Sequence, residues 1–308
     1  MAKRKLSERQ EMQKQAEREM SVYKRDDMIQ KSRHQLTTQE QRCVLYAISK
    51  IKPTDEVFQE YTFDIKDFYI LCGIQKESYT ELKAILKGLA DRSWWATIDD
   101  KGTESLLRWF STVRTNKKSG KVTIEFHKDM MPFLLQLTGK NEFYTGYSLQ
   151  YVLPMSGQYS PRLYELLKSY QKNNKKWFFE IDELKKLLAA GNYKNFNDFK
   201  RFVLEPALNE INKFTDIQVA YNTHKEGRKV TRVHFFMDKK TDKELAQAHS
   251  DIQEALDGQI SLFEVRQQLE NDPGWQFEME RQAIHKAEED AKEEFKRQTA
   301  WLSRNPTE

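Results

Sequence analysis

Cysteine is scarce in this sequence: among its 308 residues there are two, Cys43 and Cys72. They form no C-x-x-C pair, so the sequence implies neither a disulfide framework nor a zinc site. Apolar runs long enough to cross a bilayer are missing, and the first twenty residues are charged and contain no signal-peptide core. We therefore expect a cytoplasmic protein that does not associate with membranes.

The motifs of two enzyme classes are also absent. None of the six histidines lies two positions from another, whereas rolling-circle initiators and relaxases, which nick DNA with a tyrosine, need a His-hydrophobic-His metal site. Gly139-Lys140 is followed by Asn141 rather than by Ser or Thr, so the sequence has no phosphate-binding loop. Two carboxylate pairs could bind a metal, but helix-cap and turn roles explain them. These pairs are Asp64 with Asp67 and Asp99 with Asp100. We expect no catalytic residue, metal or cofactor.

Positive charge is concentrated in the body of the chain. Residues 1 to 145 carry 26 Lys and Arg against 21 Asp and Glu, residues 146 to 240 carry 17 against 10, and residues 241 to 308 carry 8 against 16. The net charges of the three segments are therefore +5, +7 and −8. A basic body followed by an acidic tail indicates that the body meets a polyanion.

The chain between residues 37 and 126 predicts a helix, a strand, two helices and a hairpin. Thr37 and Glu40 form a capping-box pattern at the start of the first helix, and Pro53 ends it. A β-like segment at 21–30 precedes this helix. The other predicted elements are a strand at 61–65, a short helix at 66–72, a helix at 78–92 that buries Leu82, Ile85, Leu86 and Leu89, and strands at 94–98, 106–115 and 121–126. This order is typical of a winged helix.

The same order recurs from residue 160. Ser160 and Pro161 are a typical helix start, with Ser as the N-cap. The further predicted elements are a strand at 177–181, helices at 182–190 and 196–214, and strands at 217–221 and 230–237. Residues 61–65 align with residues 177–181 at an offset of 116, and both segments read aromatic, any residue, Phe, acid, Ile. The duplication predicts an α+β fold with two tandem winged-helix domains.

We divide the chain into four parts on this basis. Residues 1–20 form a charged N-terminal arm, residues 21–145 the first winged-helix domain, residues 146–240 the second, and residues 241–308 an acidic tail that is helical or flexible. Within the tail, Asp272 and Pro273 are a good helix start, so we expect a solvent-exposed helix from there to about residue 301.

The helix predicted at 196–214 has an apolar and a polar face. At about 100° per residue, one arc of apolar side chains would face the core. The apolar arc consists of Phe199, Phe202, Val203, Ala207, Ile211 and Phe214, and the polar face of Asp198, Arg201, Glu205, Asn209 and Asn212. Pro206 cannot donate a backbone hydrogen bond, so it should kink or divide the helix. We expect residues 197–205 to touch bases and residues 207–214 to lie in the core, and the alternative is an ordinary solvated helix.

A winged helix presents its third helix to the DNA major groove and its hairpin tip to phosphates. Arg201 is the candidate for base readout, because Arg can pair bidentately with guanine. The candidates at or near the N-terminus of this helix, where the dipole favours phosphate, are Lys194, Asn195, Asn197 and Lys200. The candidates at the wing tip are Lys225, Arg228 and Lys229. A solvated polar loop is the alternative for the wing tip and for a further basic cluster made of Lys172, Lys175 and Lys176.

Three motifs resemble those of theta-type plasmid replication initiators, the Rep proteins. They are LTTQEQR at 36–42, SPRLYELL at 160–167 and PALNEIN at 206–212, and the resemblance covers residues 22 to 240. It implies tandem winged helices that bind repeated sequences at a plasmid origin, promote local melting and recruit host replication proteins. It also implies a dimer that often represses its own promoter while monomers initiate. In such proteins the second winged helix makes the main base contacts, which supports the roles of Lys194, Asn197, Lys200 and Arg201.

One segment of the acidic tail resembles a partner-binding peptide. The segment QISLF at 259–263 is similar to the pentapeptide with which bacterial replication proteins bind the DNA polymerase sliding clamp. In that peptide the Gln and the final Leu-Phe pair enter a hydrophobic pocket, which gives Gln259, Leu262 and Phe263 as candidates. An apolar turn of a helix that packs on the body is the alternative.

Two other functions compete with replication initiation. A winged-helix transcription regulator without a replication role would have the same composition and the same elements. A rolling-circle nicking enzyme is disfavoured by the missing histidine pair.

Overall fold

The computed structural model describes residues 21–51, 55–65, 79–97, 101–135, 137, 143–172 and 174–256. These residues all belong to one compact unit, which ends at Leu256. The predicted arm at 1–20, the short helix at 66–72, the candidates Gln259, Leu262 and Phe263, and the helix from Pro273 lie outside the described residues. None of the helices within the described ranges is long and apolar enough to span a membrane.

The described residues form nine α-helices and ten β-strands. The helices are α1 (Asp26–Lys31), α2 (Thr38–Ile48), α3 (Tyr79–Asp91), α4 (Met131–Leu134), α5 (Ser160–Gln171), α6 (Ile181–Leu187), α7 (Phe196–Phe199), α8 (Glu205–Phe214) and α9 (Asp242–Ala255), with a π-helical turn at Lys200–Leu204 between α7 and α8. The strands are β1 (Ser21–Arg25), β2 (Tyr61–Asp64), β3 (Ser93–Thr97), β4 (Glu104–Arg108), β5 (Phe110–Asn116), β6 (Lys121–Phe126), β7 (Tyr144–Ser148), β8 (Lys176–Glu180), β9 (Ile217–Glu226) and β10 (Lys229–Lys239).

Two three-stranded antiparallel sheets repeat one topology. Strand order is β2-β6-β5 in the first and β8-β10-β9 in the second, so in each sheet a short early strand pairs with the second strand of a hairpin. The first sheet places Phe63 opposite Val122, and the second places Phe179 opposite Val233, with all four side chains buried. The predicted duplication of the winged helix is therefore confirmed.

Two local predictions at helix starts have different outcomes. The Thr37 side chain accepts a hydrogen bond from the backbone N–H of Glu40, and Glu40 accepts one from Thr37, so the predicted capping box is confirmed. The N-cap role of Ser160 is wrong, because α5 begins at Ser160 itself and its N-cap is Tyr159. Ser160 is buried in the first turn, where Pro161 supplies the predicted start signal.

Two strand predictions in the first half are right in kind but wrong in extent. The segment predicted as one strand at 106–115 is divided at Trp109: β4 pairs with β3 in a separate hairpin, whereas β5 pairs with β6. Trp109 is fully buried and its ring centre lies 4.5 Å from that of Trp94, so aromatic packing interrupts the strand. The β-like segment at 21–30 is a strand only to Arg25, where α1 takes over, and β1 pairs with β7.

The predicted boundary between residues 145 and 146 falls inside β7, and the start of the predicted tail is helical. Helix α9 begins at the Thr241–Glu244 capping box and packs against α8, burying Ala248 and Ile252. The division of the chain at these positions stays a prediction.

Two charged residues of α5, Arg162 and Glu165, lie in the core and connect both halves. Glu165 forms an ion pair with Lys24 of β1 at 2.5 Å and accepts a hydrogen bond from the Tyr147 hydroxyl. Burial lowers the pKa of Lys24 from its ordinary value, and the carboxylate of Glu165 opposes this shift. Lys24 and Glu165 are both almost fully buried, and Glu165 also lies 3.9 Å from the buried Arg162 guanidinium, so this carboxylate compensates two buried cations.

The Arg162 guanidinium binds the carboxyl ends of two helices. Its Nη2 donates to the carbonyl oxygens of Ile29 at 2.6 Å and Ser32 at 2.7 Å, beside the end of α1. Its Nε donates to the carbonyl of Leu187 at 3.4 Å, at the end of α6 in the second winged helix. Helix carboxyl ends leave carbonyls unpaired and favour positive charge, so Arg162 satisfies both ends at once.

We predict that Glu165→Ala lowers the free energy of unfolding by about 3–5 kcal/mol, because it leaves the Lys24 ammonium buried without its partner. Urea denaturation followed by circular dichroism measures this loss. Glu183→Ala is the matched control: the Glu183 carboxylate lies 3.8 Å from Arg33 and both side chains are exposed, so its removal should cost less than about 1 kcal/mol. Equal effects of the two substitutions would contradict the structural role of Glu165.

Candidate nucleic-acid interface

The N-terminus of α7 and the β9–β10 hairpin enclose an open groove of about 1050 Å³. All of the predicted DNA-binding residues except Arg201 line it. They are Lys194, Asn195, Asn197 and Lys200 from the helix side and Lys225, Arg228 and Lys229 from the hairpin. Ile181, Asp182 and Lys185 of α6 contribute to the same groove. The groove thus contains six cationic side chains and one carboxylate, a composition that suits a polyanion.

Asn195 has an intramolecular role in this groove. As the N-cap of α7, its Oδ1 accepts a hydrogen bond from the backbone N–H of Asp198 at 2.8 Å, and its Nδ2 donates to the Asp198 carboxylate at 2.6 Å. This cap fixes where the helix begins and so where the neighbouring Lys194 and Asn197 stand. A direct contact of Asn195 with DNA stays a prediction.

The 196–214 segment remains helical throughout but changes its winding ahead of Pro206. The π-helical turn at Lys200–Leu204 leads into α8, and Pro206 lies in the first turn of α8. Proline is tolerated in a first turn because its missing N–H would have no intrahelical partner there. The predicted division at Pro206 is therefore accommodated by a widened turn and not by a break in the helix.

The predicted apolar arc of this helix is wrong at Phe202, which lies in the π-helical turn. Phe199, Val203 and the apolar residues of α8 are buried as expected, but Phe202 is 51% exposed. A π-helical turn inserts a residue into the helical period, so the fixed 100° spacing assigns Phe202 to the wrong face. The Phe202 ring stacks on Tyr193, with ring centres 6.2 Å apart.

Arg201 and Lys200 are held by their neighbours. The Arg201 guanidinium carbon lies 5.1 Å from the centre of the Phe202 ring, a cation–π distance, and the residue is exposed on the outer side of the helix. Lys200 pairs with Glu205 at 3.3 Å, and hydrogen bonding to Glu205 raises the pKa of Lys200. Both side chains are therefore oriented before any ligand arrives.

Lys185 is a groove residue that the sequence did not reveal. It is buried, and its Nζ donates to the carbonyl oxygen of Lys194 at 3.1 Å. Burial lowers the pKa of Lys185, with help from the charges of Lys229 and Lys194, while Asp182 opposes the shift. The repulsion by Lys194 and Lys229 means that an anion bound in the groove would relieve an existing positive potential. The sequence position of Lys185, next to Leu184 in α6, did not indicate that it lines the groove.

The wing is longer than predicted. Residues 222–229 were expected to form the loop, but β9 continues to Glu226 and β10 begins at Lys229, which leaves the two-residue turn Gly227-Arg228. Gly227 has φ +63°, in the left-handed region that such a tight turn needs. Strand pairing therefore places the exposed cations Lys225 and Lys229 at the end of the hairpin.

The first winged helix has a corresponding basic surface. Helix α3 buries Leu82, Ile85, Leu86 and Leu89, as predicted for the counterpart of the 196–214 helix. Near its N-terminus, Lys83 and Lys117 lie over the Tyr79 ring, with each ammonium about 6 Å from the ring centre. Lys117 stands in the turn between β5 and β6, so helix and wing again bring cations together.

Residues weighed for other roles have structural partners. Asp64, considered as a metal ligand, pairs with Lys121 at 3.0 Å. In the basic cluster before β8, Lys172 lies 3.3 Å from Asp26 and Lys175 lies 3.9 Å from Asp238, while Lys176 covers the Phe236 ring. Within the described part of the chain, no group of three or more His, Cys, Asp or Glu residues could hold a metal ion.

Two protein-family models match this chain in sequence order. The model for the WH1 domain of initiator replication proteins matches residues 21–168, and the model for the WH2 domain of initiator Rep proteins matches residues 180–237. Together they span well over half of the chain. The first match begins where β1 begins, and the second contains α6, α7, α8 and most of the β8–β10 sheet.

Individual relatives agree with the family models. The chain is 34% identical to the PI protein of Escherichia coli over 146 residues, which are 42% of this chain and 47% of that protein. It is 28% identical to a replication initiation protein of Escherichia coli over 223 residues, 68% of this chain and 67% of the relative. The matched region thus spans about half the length of the first relative. The crystal structure of the Pi initiator protein in complex with iteron DNA superposes with a TM-score of 0.61 at 27% identity, covering 73% of this chain and 99% of that one.

We predict that Asn195→Ala lowers the free energy of unfolding by about 1 kcal/mol, because it removes the N-cap of α7. Thermal denaturation of the two proteins measures the difference. Asn197→Ala, an exposed asparagine in the first turn of the same helix, is the control and should leave stability within about 0.5 kcal/mol of the wild type. If Asn195→Ala left the free energy of unfolding unchanged, the cap would not stabilise the helix.

Proposed function

Since the chain belongs to the initiator replication protein family, we propose that it is a sequence-specific DNA-binding protein that initiates plasmid replication at origin repeats. The observation that carries this proposal is the basic groove between the 196–214 helix and the wing, which has a basic counterpart in the first winged helix. Similarity to a protein solved in complex with iteron DNA supports double-stranded origin repeats as the ligand.

In this proposal Arg201 and the groove residues of the second winged helix bind DNA through different chemistry. The 196–214 helix enters the major groove, where Arg201 pairs with a base edge. Lys194, Asn197 and Lys200 contact the backbone near the start of the helix, and the wing cations Lys225, Arg228 and Lys229 hold phosphates across the minor groove. Phosphate contacts fix the register of the protein on the duplex, and base contacts supply the sequence preference.

The remaining steps of initiation follow from binding. Two winged helices on one chain can hold two segments of duplex at a fixed separation, which promotes local melting of the origin. We propose that the protein then recruits host replication proteins in the cytoplasm and passes between monomer and dimer. It performs these steps by binding alone, without a catalytic residue, metal or cofactor.

We predict that Arg201→Ala loses affinity for the origin repeat by about tenfold or more but loses little affinity for random DNA. A bidentate pair with guanine contributes about 1–3 kcal/mol of discrimination, whereas backbone contacts are the same on any sequence. Footprinting of the wild-type protein on the DNA upstream of its own reading frame identifies the repeat. Fluorescence anisotropy with that duplex and with a shuffled duplex measures both affinities.

Lys213→Ala is the matched control, because Lys213 is an exposed cation near the other end of the same segment. It should leave the ratio of the two affinities unchanged. Equal loss on both duplexes in Arg201→Ala would make Arg201 a phosphate contact. A single protected site in place of direct repeats would favour the transcription regulator over the initiator.

We further propose that the acidic tail binds the DNA polymerase sliding clamp through Gln259, Leu262 and Phe263. The support is the sequence QISLF, placed after the basic body in a segment whose net charge is negative. A negative segment is repelled by DNA phosphates, so it stays accessible to a protein partner while the body is bound to the origin.

We predict that Leu262→Ala combined with Phe263→Ala abolishes binding to the sliding clamp and leaves origin binding intact. Removing both apolar anchors deprives the clamp pocket of its hot-spot contacts. Surface plasmon resonance with immobilised clamp and with origin duplex measures the two activities. Val265→Ala combined with Leu269→Ala removes apolar side chains from the same tail and should change neither. A wild-type protein that does not bind the clamp would exclude this partner.

A further inference from the structure

We propose that Phe202 reads a thymine in the DNA repeat by packing against the methyl group at C5. This inference rests on the proposed function, because it requires the 196–214 helix to enter the major groove. It adds an apolar contact to the helix face for which the sequence predicted only polar side chains. The observations that carry it are the exposure of Phe202, its place in a π-helical turn, and the side chains that fix its ring.

The exposure of Phe202 opposes the usual tendency of the side chain. Burial of a phenylalanine stabilises a protein by about 1.5–3 kcal/mol, and Phe199 and Val203, three positions before and one after, are both buried. Phe202 lies within the π-helical turn at Lys200–Leu204, and half of its surface is in contact with solvent. Single-turn π-bulges within α-helices occur frequently at functional sites.

The exposed ring is held in one orientation. Tyr193, which precedes α7, stacks on one side of Phe202 at 6.2 Å between ring centres, with an angle of 27° between the rings. Tyr193 is itself held by an edge-to-face contact with Tyr159. Arg201 places its guanidinium 5.1 Å from the Phe202 ring centre. A ring fixed before binding loses little conformational freedom when it meets its ligand.

The position of Phe202 next to Arg201 determines which ligand the ring would meet. The major groove offers one apolar group, the C5-methyl of thymine, and Phe is among the side chains that contact it. Arg201 pairs with guanine by the proposal above, so adjacent side chains would read a guanine and a neighbouring thymine. Among the exposed large apolar side chains in the described residues, Phe202 is the one on this helix.

The test removes the methyl group from DNA and the ring from the protein in turn. The wild-type protein first selects its preferred duplex from a random library, and each thymine of that duplex is then replaced by deoxyuridine, which lacks only the methyl group. At one position we expect the wild-type affinity to fall about fourfold, the effect of exposing one buried methyl group. In Phe202→Ala the same replacement should have no effect.

Two further variants separate the methyl contact from other roles. Phe202→Leu keeps an apolar side chain but loses the ring that faces Arg201, and it should retain most of the deoxyuridine effect. Phe178→Ala removes a similarly exposed phenylalanine from β8. This variant should show the full deoxyuridine effect. Unfolding free energies of all variants confirm that each is folded.

Each outcome decides the inference. A deoxyuridine effect of equal size in wild type and Phe202→Ala, or none at any thymine in the wild type, overturns it while sequence-specific binding stands. Complete loss of the effect in Phe202→Leu also overturns it, because Phe202 would then act by positioning Arg201. A wild-type protein that selects no sequence contradicts the proposed function itself, and this inference with it.

Discussion

The buried charges of α5 constrain the whole described structure. Lys24 and Glu165 are nearly inaccessible to water, and desolvation of such ions costs several kcal/mol each unless their partners are well placed. Arg162, also buried, is compensated by carbonyls at the ends of α1 and α6 and by the carboxylate of Glu165, 3.9 Å away. A rotation of one winged helix against the other would break these hydrogen bonds and leave a charge unpaired in the core. The contacts of Arg162 with both halves therefore oppose displacement of one winged helix against the other.

Charge pairing distinguishes the lysines of the groove from those of the basic cluster near β8, which the sequence alone could not do. Lys172 and Lys175 have carboxylate partners in Asp26 and Asp238, so part of their charge is already neutralised. In the groove, burial lowers the pKa of Lys185, Asp182 opposes the shift, and the charges of Lys229 and Lys194 add to it, so six cations share a lining with one carboxylate. Like charges brought together without enough carboxylates raise the free energy of the unliganded protein and lower it on binding an anion. The groove is accordingly a better candidate for phosphate than the cluster before β8.

Much of the fold could be predicted because its signals are local and repeated. The capping box of Thr37 and Glu40, the apolar spacing of α3 and the duplicated segments at 61–65 and 177–181 each depend on residues within a few positions. The wrong or missing predictions concern places where the local structure depends on residues that are distant in the sequence. Trp109 interrupts a strand because Trp94 and the core lie behind it, and Lys185 joins the groove because the wing folds back toward α6. Seven of the predicted DNA-binding residues do meet in one groove, since all of them flank the same helix start or the same hairpin tip.

The effect of Pro206 on the helix was predicted correctly, but its location was not. Its missing N–H was expected to disturb the helix, and it does, but the disturbance lies before the proline, in the turn at Lys200–Leu204. Widening that turn places Pro206 in the first turn of α8, where it needs no hydrogen bond, and keeps Ala207 and Ile211 in the core. Within the wide turn Arg201 and Phe202 are exposed, whereas Val203 and Leu204 are buried. The backbone arrangement before Pro206 therefore influences which side chains this helix exposes.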